Sequence, residues 1–434
     1  MSLKRCMLAL FVLLPMAAQA EISVETLRLG HGVRGWYARS ESVPVVHVAM
    51  SFEGAGSISD PAERAGRAMM VAAMLTEGAG GMDAVAFQRA LEDKAIDLSI
   101  SASDDRLRID VHCLREHAAA AGQLLATALA QPHFAPADLA RVKTQALSQL
   151  QRLEESPVFQ ASRAFEEKAF AGHPYAAEHY GSPASLKVMA AQDLRDYMGT
   201  YITRGNVLVS AAGDVDRSLL RDMLGPVIDA LGASDAGPVP AASVAMQGAN
   251  EALDVAMDVP QSTVVFAAPA LPRSDKRFYA MYLLNDILGG NGLTSRLADG
   301  LRQKKGLVYG VSTSLDERDG ISLLRGALAT RTETATQAGD AVRALLREMA
   351  TRGVTTQECD DARTHVLGAF PLQLDGSRNM ATMLLVMRMY GLGEDYIETR
   401  QEKFASVTCA EVNALAKEFL VPERFLFVTA GRTP

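Results

Sequence analysis

The sequence predicts an α+β fold of two similar α/β sandwich domains joined by a linker. Three observations predict it. At 434 residues the chain exceeds what one hydrophobic core usually organises. Strand-like alternation and helical stretches are interleaved along it, which argues strands in one layer and helices over them. The chain also states one pattern twice.

The repeat is clearest at the ends of the two halves. Residues 189–214, "MAAQDLRDYMGTYITRGNVLVSAAGD", align without a gap on residues 407–432, "VTCAEVNALAKEFLVPERFLFVTAGR". Leu194 meets Val412, Tyr201 meets Phe419, Leu208 meets Leu426 and Gly213 meets Gly431. Each copy reads as a helix, a turn and a strand stopped by glycine. "VPVVHVAMSFEGAG" from Val43 matches "VPQSTVVFAAPAL" from Val259, and each strand leads to an apolar helix ending in glycine. "DLARVKTQAL" (138–147) resembles "ECDDARTHVL" (358–367). The small, Pro-containing stretch from Ala233 reads as a linker. The predicted division is a leader at 1–20, domains at 21–232 and 253–434, and a linker at 233–252.

The leader comes first. "MSLKRCMLALFVLLPMAAQA" has Lys4 and Arg5, an apolar run and Ala18-Gln19-Ala20, the layout of a secretory signal cleaved after Ala20. Its apolar run is too short for a membrane anchor, and no later stretch reads as a membrane helix. An exported chain is expected, periplasmic or otherwise secreted. Losing Lys4 and Arg5 takes the formal charge from −8 to −10, a poor balance for nucleic acid. Three far-apart cysteines remain, Cys113, Cys359 and Cys409, too few for a disulfide framework and without CxxC metal spacing.

Within the first half, Val46, Val48, Met50 and Phe52 alternate, as do Leu107, Ile109 and Val111, so both segments read as half-buried strands. Helical stretches follow near 114–130, 136–170 and 189–201. An earlier helix is predicted over about 61–77. Asp60 is placed to cap it, Pro61 to open it, Glu63 to complete a capping box and Gly78 to end it. Its run Met69-Met70-Val71-Ala72-Ala73-Met74-Leu75 is apolar on every side, which predicts burial all round.

That strand, glycine-rich turn, acidic-Pro cap and helix closing in "MLTEG" resemble the insulinase/pitrilysin (inverzincin) family of zinc peptidases. The resemblance covers about residues 25–432. The family carries H-x-x-E-H on this helix: two histidines four apart share one face and bind zinc, and the glutamate activates water. Here Met69 and Ala73 stand at the histidine positions and Ala72 at the glutamate. The family's third ligand, a downstream glutamate, falls near Gln149, and "AGHPY" with His173 supports that register. Thioether, methyl and amide groups do not rebuild a zinc site. His112, His117, His173 and His179 have loose spacings and read as satisfied or exposed side chains. The resemblance therefore implies no metal in this chain.

The second half resembles the family most in "GGNGLTSRLADGLRQKKGLVYGVSTS", residues 289–314. There the family keeps an arginine and a tyrosine seven apart that bind the substrate backbone and steady the intermediate; here they are Arg302 and Tyr309. Arginine offers a fixed fork of donors and a tyrosine hydroxyl donates to a developing oxyanion. The bland alternative is a helix end with cations near its C-terminus and a strand aromatic. Ser295 and Arg296 read as closing the helix start, and Lys304 and Lys305 as a solvated pair.

Some family members are heterodimers in which one chain brings H-x-x-E-H and zinc and the other the Arg/Tyr pair. The resemblance implies that second role: a subunit inactive alone, with a homologous zinc-bearing partner and a peptide substrate. The competing expectation is a zinc-free scaffold or peptide-binding protein. A peptidase acting alone fits least, since nothing substitutes for the lost base.

Overall fold

The computed structural model describes residues 23–233 and 244–431. The leader and residues 234–243 of the linker lie outside the described residues. The first sheet contains β1 (Val24–Gly30), β2 (Val33–Arg39), β3 (Val45–Glu53), β4 (Asp97–Ala102), β5 (Arg106–Leu114) and β6 (Val207–Gly213). Its order is β1-β2-β6-β3-β5-β4. The second contains β7 (Ala252–Val255), β8 (Gln261–Pro269), β9 (Val308–Arg318), β10 (Ile321–Arg331) and β11 (Leu426–Ala430), in the order β7-β11-β8-β10-β9. Without β1 the two orders correspond strand for strand, and in each sheet one parallel pair, β2 with β6 or β7 with β11, sits among antiparallel ones. The fold is thus two homologous α+β domains with mixed sheets.

The repeated helix and strand are present in both halves. The helix Ala191–Tyr201 precedes β6, and the helix Cys409–Phe419 precedes β11. Gly213 and Gly431 end those strands at φ 117° and 108°, a region that L side chains rarely adopt. Each also lies against the neighbouring strand, so a side chain at Gly213 would collide with the Val45 carbonyl oxygen.

The half-buried expectation for β3 is corrected. Val46, Val48, Met50 and Phe52 face the first core, but His47, Ala49 and Ser51 on the opposite face are buried too. The cover comes from the other half. Met380, Ala381, Leu384 and Leu385 of the helix Ser377–Met389 pack on Ala38, Ala49 and Ala212. The loan is returned: Ala161, Phe165 and Ala169 of the helix Pro157–Ala169 lie on Val265, Ala267, Leu426 and Val428 of the second sheet. β8 accordingly turns Val264, Phe266 and Ala268 to its own helices and Val265 and Ala267 to the visiting one. The helical stretch expected over 136–170 is two helices, Pro136–Glu154 and Pro157–Ala169. Pro157 opens the second, a position proline suits, and the break redirects the chain onto the other domain.

A second correction concerns cysteine. Cys359 and Cys409 form a disulfide with Cα atoms 5.7 Å apart, tying the starts of the helices Thr356–Gln373 and Cys409–Phe419. Their 50-residue separation hid the pairing. Both helices start with the same device, Thr355 with Glu358 and Thr408 with Glu411 in reciprocal capping boxes. Cys113 is free and buried. Among the described residues no helix is long and apolar enough to cross a membrane.

Polar contacts also join the halves. Arg108 donates two hydrogen bonds to Asp110, at 2.6 and 2.7 Å, and one at 2.8 Å to the Thr382 hydroxyl of the visiting helix. The buried His47 ring pairs with Asp110 at 3.0 Å. Burial alone would raise the Asp110 carboxyl, but the hydrogen bonds from His47 and Arg108 outweigh it and hold the pKa down to about 2.

Two outcomes follow from this packing. Leu384→Ala empties a fully buried site between the halves and should cost about 2–5 kcal/mol in chemical denaturation. Asp110 titrates below its ordinary 3.8 in the folded state, so its contribution is present above about pH 4 and is lost as pH falls toward 2. Asp110→Asn should flatten that part of the stability profile, read as melting temperature against pH; an unchanged acid limb would refute it.

Candidate functional site

The helix predicted over 61–77 is shorter than expected. A single 3₁₀ turn spans Ala62–Arg64, and the α-helix is Arg67–Met74. Gly66 separates them in a left-handed conformation, φ 83°. A side chain there would meet the Gly181 nitrogen at 2.8 Å, and one at Gly181 would meet the Ala65 carbonyl oxygen at 2.7 Å. Two glycines thus let two backbones touch, and the helix restarts after the contact. Asp60 caps that later start: its carboxylate accepts from the Ala68 N–H at 3.1 Å and faces Arg67 at 3.4 Å. Burial raises the Asp60 pKa to about 6 against these contacts.

Burial all round is also corrected. Ala68, Met70, Val71, Ala72 and Met74 are buried, but Met69 is half-buried and Ala73 exposed. One turn apart, Met69 and Ala73 open onto a cavity of about 490 Å³. Gln149, from the helix Pro136–Glu154, lines the same cavity with Met70, Leu186, Tyr180 and Arg152. Three of the four positions that the resemblance places at a zinc site therefore meet around one space. Ala72 does not; it is turned into the core. The groups present do not fit zinc, since a thioether, a methyl and an amide offer neither imidazole nor carboxylate nor thiolate. Among the described residues no group of three or more His, Cys, Asp or Glu side chains could hold a metal ion.

Arg302 lies in the widely wound π-type turn Ala298–Lys304, which Gly306 ends at φ 59°. Leu297, Ala298 and Leu301 are buried beneath this segment while Arg302 points outward. Tyr309 follows near the start of β9, the edge strand. Gly310 pairs with Ala329 and Val308 with Thr330, so Tyr309 is the extra residue of a bulge. It is 52 % exposed. Among the described residues neither side chain has a hydrogen bond or ion pair. The neighbours are committed: Ser295 accepts from the Ala298 N–H at 3.4 Å, Arg296 pairs with Glu358, and Lys304 pairs with Asp299 at 2.6 Å.

A second cluster has no spacing along the chain that marks it. The Ser57 hydroxyl lies 2.7 Å and the Asp104 carboxylate 2.9 Å from the His179 ring. Both meet the same nitrogen, Nδ1. A hydrolytic triad needs serine and carboxylate on opposite nitrogens, so this is a satisfied histidine and no nucleophile. Asp104 and His179 line an adjoining cavity of about 390 Å³, whose floor is the ion-paired set Glu166, Arg318 and Arg325. Tyr180 borders both cavities, and its ring meets Phe159 edge-on at 5.9 Å between centroids.

Two homologous sandwich domains around such a degenerate site define a peptidase-like chain. Residues 36–182 match the family described as insulinase (peptidase family M16), and residues 189–366 match the peptidase M16 inactive domain. The chain belongs to this family. A Helicobacter pylori protein named non-peptidase homolog YmxG is 27% identical over 383 residues, 88% of each chain. An uncharacterized zinc protease of Mycobacterium tuberculosis is 26% identical over 394 residues, again 88% of each. The crystal structure of a peptidase M16 inactive domain from Pseudomonas fluorescens superposes with a TM-score of 0.87 at 25% identity, covering 95% of this chain and 98% of that one. A protease from Helicobacter pylori shares the fold, with a TM-score of 0.84 at 17% identity over 95% and 100% of the two chains. The relatives thus carry both protease and non-peptidase names.

The shared cavity makes a direct expectation. Met69→His with Ala73→His supplies two ligands on one helix face and should bind zinc weakly. Adding Gln149→Glu supplies a third and should tighten binding to one ion per chain, measured against a competing chelator. Arg152, which lies on Gln149, would compete for the new carboxylate, so Arg152→Gln should tighten it further. Equal zinc affinity with and without the Gln149 change would show that these positions do not converge.

Proposed function

We propose that this chain is the non-catalytic subunit of an exported, periplasmic two-chain zinc peptidase. The zinc and the H-x-x-E-H helix belong to a homologous partner, and the substrate is a peptide enclosed between the two. Arg302 and Tyr309 act in trans, the arginine holding the substrate backbone and the tyrosine hydroxyl donating to the developing oxyanion. The observation that carries this reading is the contrast between the two halves. The first has no group able to hold metal in its cavity. The second keeps an exposed arginine and, on a strand bulge, an exposed tyrosine that no partner among the described residues uses. A donor awaiting a ligand is costly to leave idle in a packed protein but costs little at an open surface.

The second reading is a zinc-free scaffold or peptide-binding protein with no part in proteolysis. Similarity to a homologue named as a non-peptidase favours it.

Kinetics on the reconstituted pair separate the two. Tyr309→Phe removes one hydroxyl and little volume, so assembly should persist while turnover falls roughly ten- to a thousandfold, the scale of one oxyanion donor. Arg302→Lys keeps the charge but loses the fork, so both KM and turnover should suffer. Light scattering checks assembly. Wild-type kinetics in both variants, or a partner fully active by itself, would favour the scaffold.

A further inference from the structure

The cavity beside the Arg67–Met74 helix has a chemistry of its own. Its wall is apolar, formed by Met69, Met70, Val142, Ala146, Leu150 and Leu186. At one side stands Arg152, whose guanidinium donates to the Gln149 side-chain oxygen at 2.6 Å. Among the described residues that neutral amide is the only side chain Arg152 bonds, and no carboxylate lies within ion-pair distance. Glu154, the acidic residue two positions on, faces Arg163 instead. Arg152, itself exposed, therefore sets an uncancelled positive charge at the rim of an apolar space. The contact also orients Gln149. A guanidinium only donates, so the amide oxygen faces it and the amide NH₂ is left to donate elsewhere. With the Gln149 oxygen already taken by Arg152, the pair turns only donors outward.

A ligand matching this space is an anion that accepts from the guanidinium and the amide and carries an apolar body into the wall. We infer that the cavity binds the free C-terminal carboxylate of a peptide whose last side chain is apolar. The carboxylate lies on Arg152 and Gln149, and the last side chain fills the space between Met69, Met70 and Leu186. A volume of about 490 Å³ suits such a group. The peptide rather than an isolated small acid is favoured by the second cavity. It shares Leu150 and Tyr180 with the first and is lined by Leu153 and Phe159, so the preceding residues meet further apolar surface beside the pocket. The inference goes beyond the two-chain reading and does not depend on it, since it concerns binding by this chain without hydrolysis.

Calorimetry on the full mature chain, without any partner, tests it. The probes are acetylated Ala-Ala-Leu with a free carboxylate, the same tripeptide as its C-terminal amide, and octanoate. The free acid should bind, weakening as salt is raised, and the amide should bind at least about tenfold more weakly. Octanoate should bind more weakly than the peptide acid. Arg152→Gln should lower the affinity for the acid about tenfold and leave the amide unchanged. Gln149→Glu should do the same from the other side, because a carboxylate one turn away would neutralise Arg152 with almost no change of shape. Ala73→Phe should block acid and amide alike by filling the space. Circular dichroism confirms that each variant is folded, and either charge variant suffices if the other is not. No binding of the acid, equal binding of acid and amide, equal binding of octanoate, or an unchanged affinity in both charge variants would overturn the inference.

Discussion

The exchange of one helix between the halves is the contact on which the rest of the molecule depends. A sheet covered on one face only would leave Ala38, Ala49 and Ala212 in water on one side and Val265, Ala267 and Val428 on the other. Each domain covers that face with a helix belonging to its twin. The small side chains on the first sheet are what let the Ser377–Met389 helix come close enough to bury Leu384 and Leu385 completely. Neither half is therefore a complete folding unit, although each has its own core. The exchange also brings the Pro157–Ala169 helix, Tyr180 and the Glu166 ion pairs together, and these shape the second cavity.

The two candidate regions are built on different physical terms. The cavity beside the Arg67–Met74 helix is framed by regular helices and by Gly66, where the backbone touches that of Gly181. Its lining is mostly apolar, with methionine, alanine and glutamine at the positions the resemblance gives to zinc ligands. The Arg302 and Tyr309 segment is framed by departures from regularity, a wide helical turn and a strand bulge. Such departures cost stability and persist where surrounding structure enforces them; here the buried Leu297, Ala298 and Leu301 do so.

Much of this was legible in the sequence. The gapless repeat located matching helices and strands in both halves, and the closing glycines occupy equivalent strained positions. The positions of Met69, Ala73 and Gln149 were legible because helical spacing and a resemblance register both act along the chain. What escaped depends on contacts between distant segments. Burial of both faces of β3 comes from a helix more than 300 residues on, so local alternation misread it. The break at Gly66 reflects the approach of Gly181, and Asp60 caps the helix beyond the break. Arg152 stands one turn from Gln149 on the same helix, but the cavity it borders exists only once the Arg67–Met74 helix is packed opposite. The triple meeting of Ser57, Asp104 and His179 likewise has no spacing that announces it.

The disulfide makes stability a property of the compartment as well as of the sequence. Cys359 and Cys409 close a loop of 50 residues, which on loop-entropy grounds restricts the unfolded chain by about 4 kcal/mol. That is a large share of the roughly 5–15 kcal/mol by which a domain is usually stable. The tie lies wholly in the second half; the first has only the buried thiol of Cys113. In a reducing environment the second half would lose its covalent brace, while the first has no disulfide to lose. Because that half lends the helix covering the first sheet, a change in redox conditions acting on two sulfur atoms would be felt across the whole molecule.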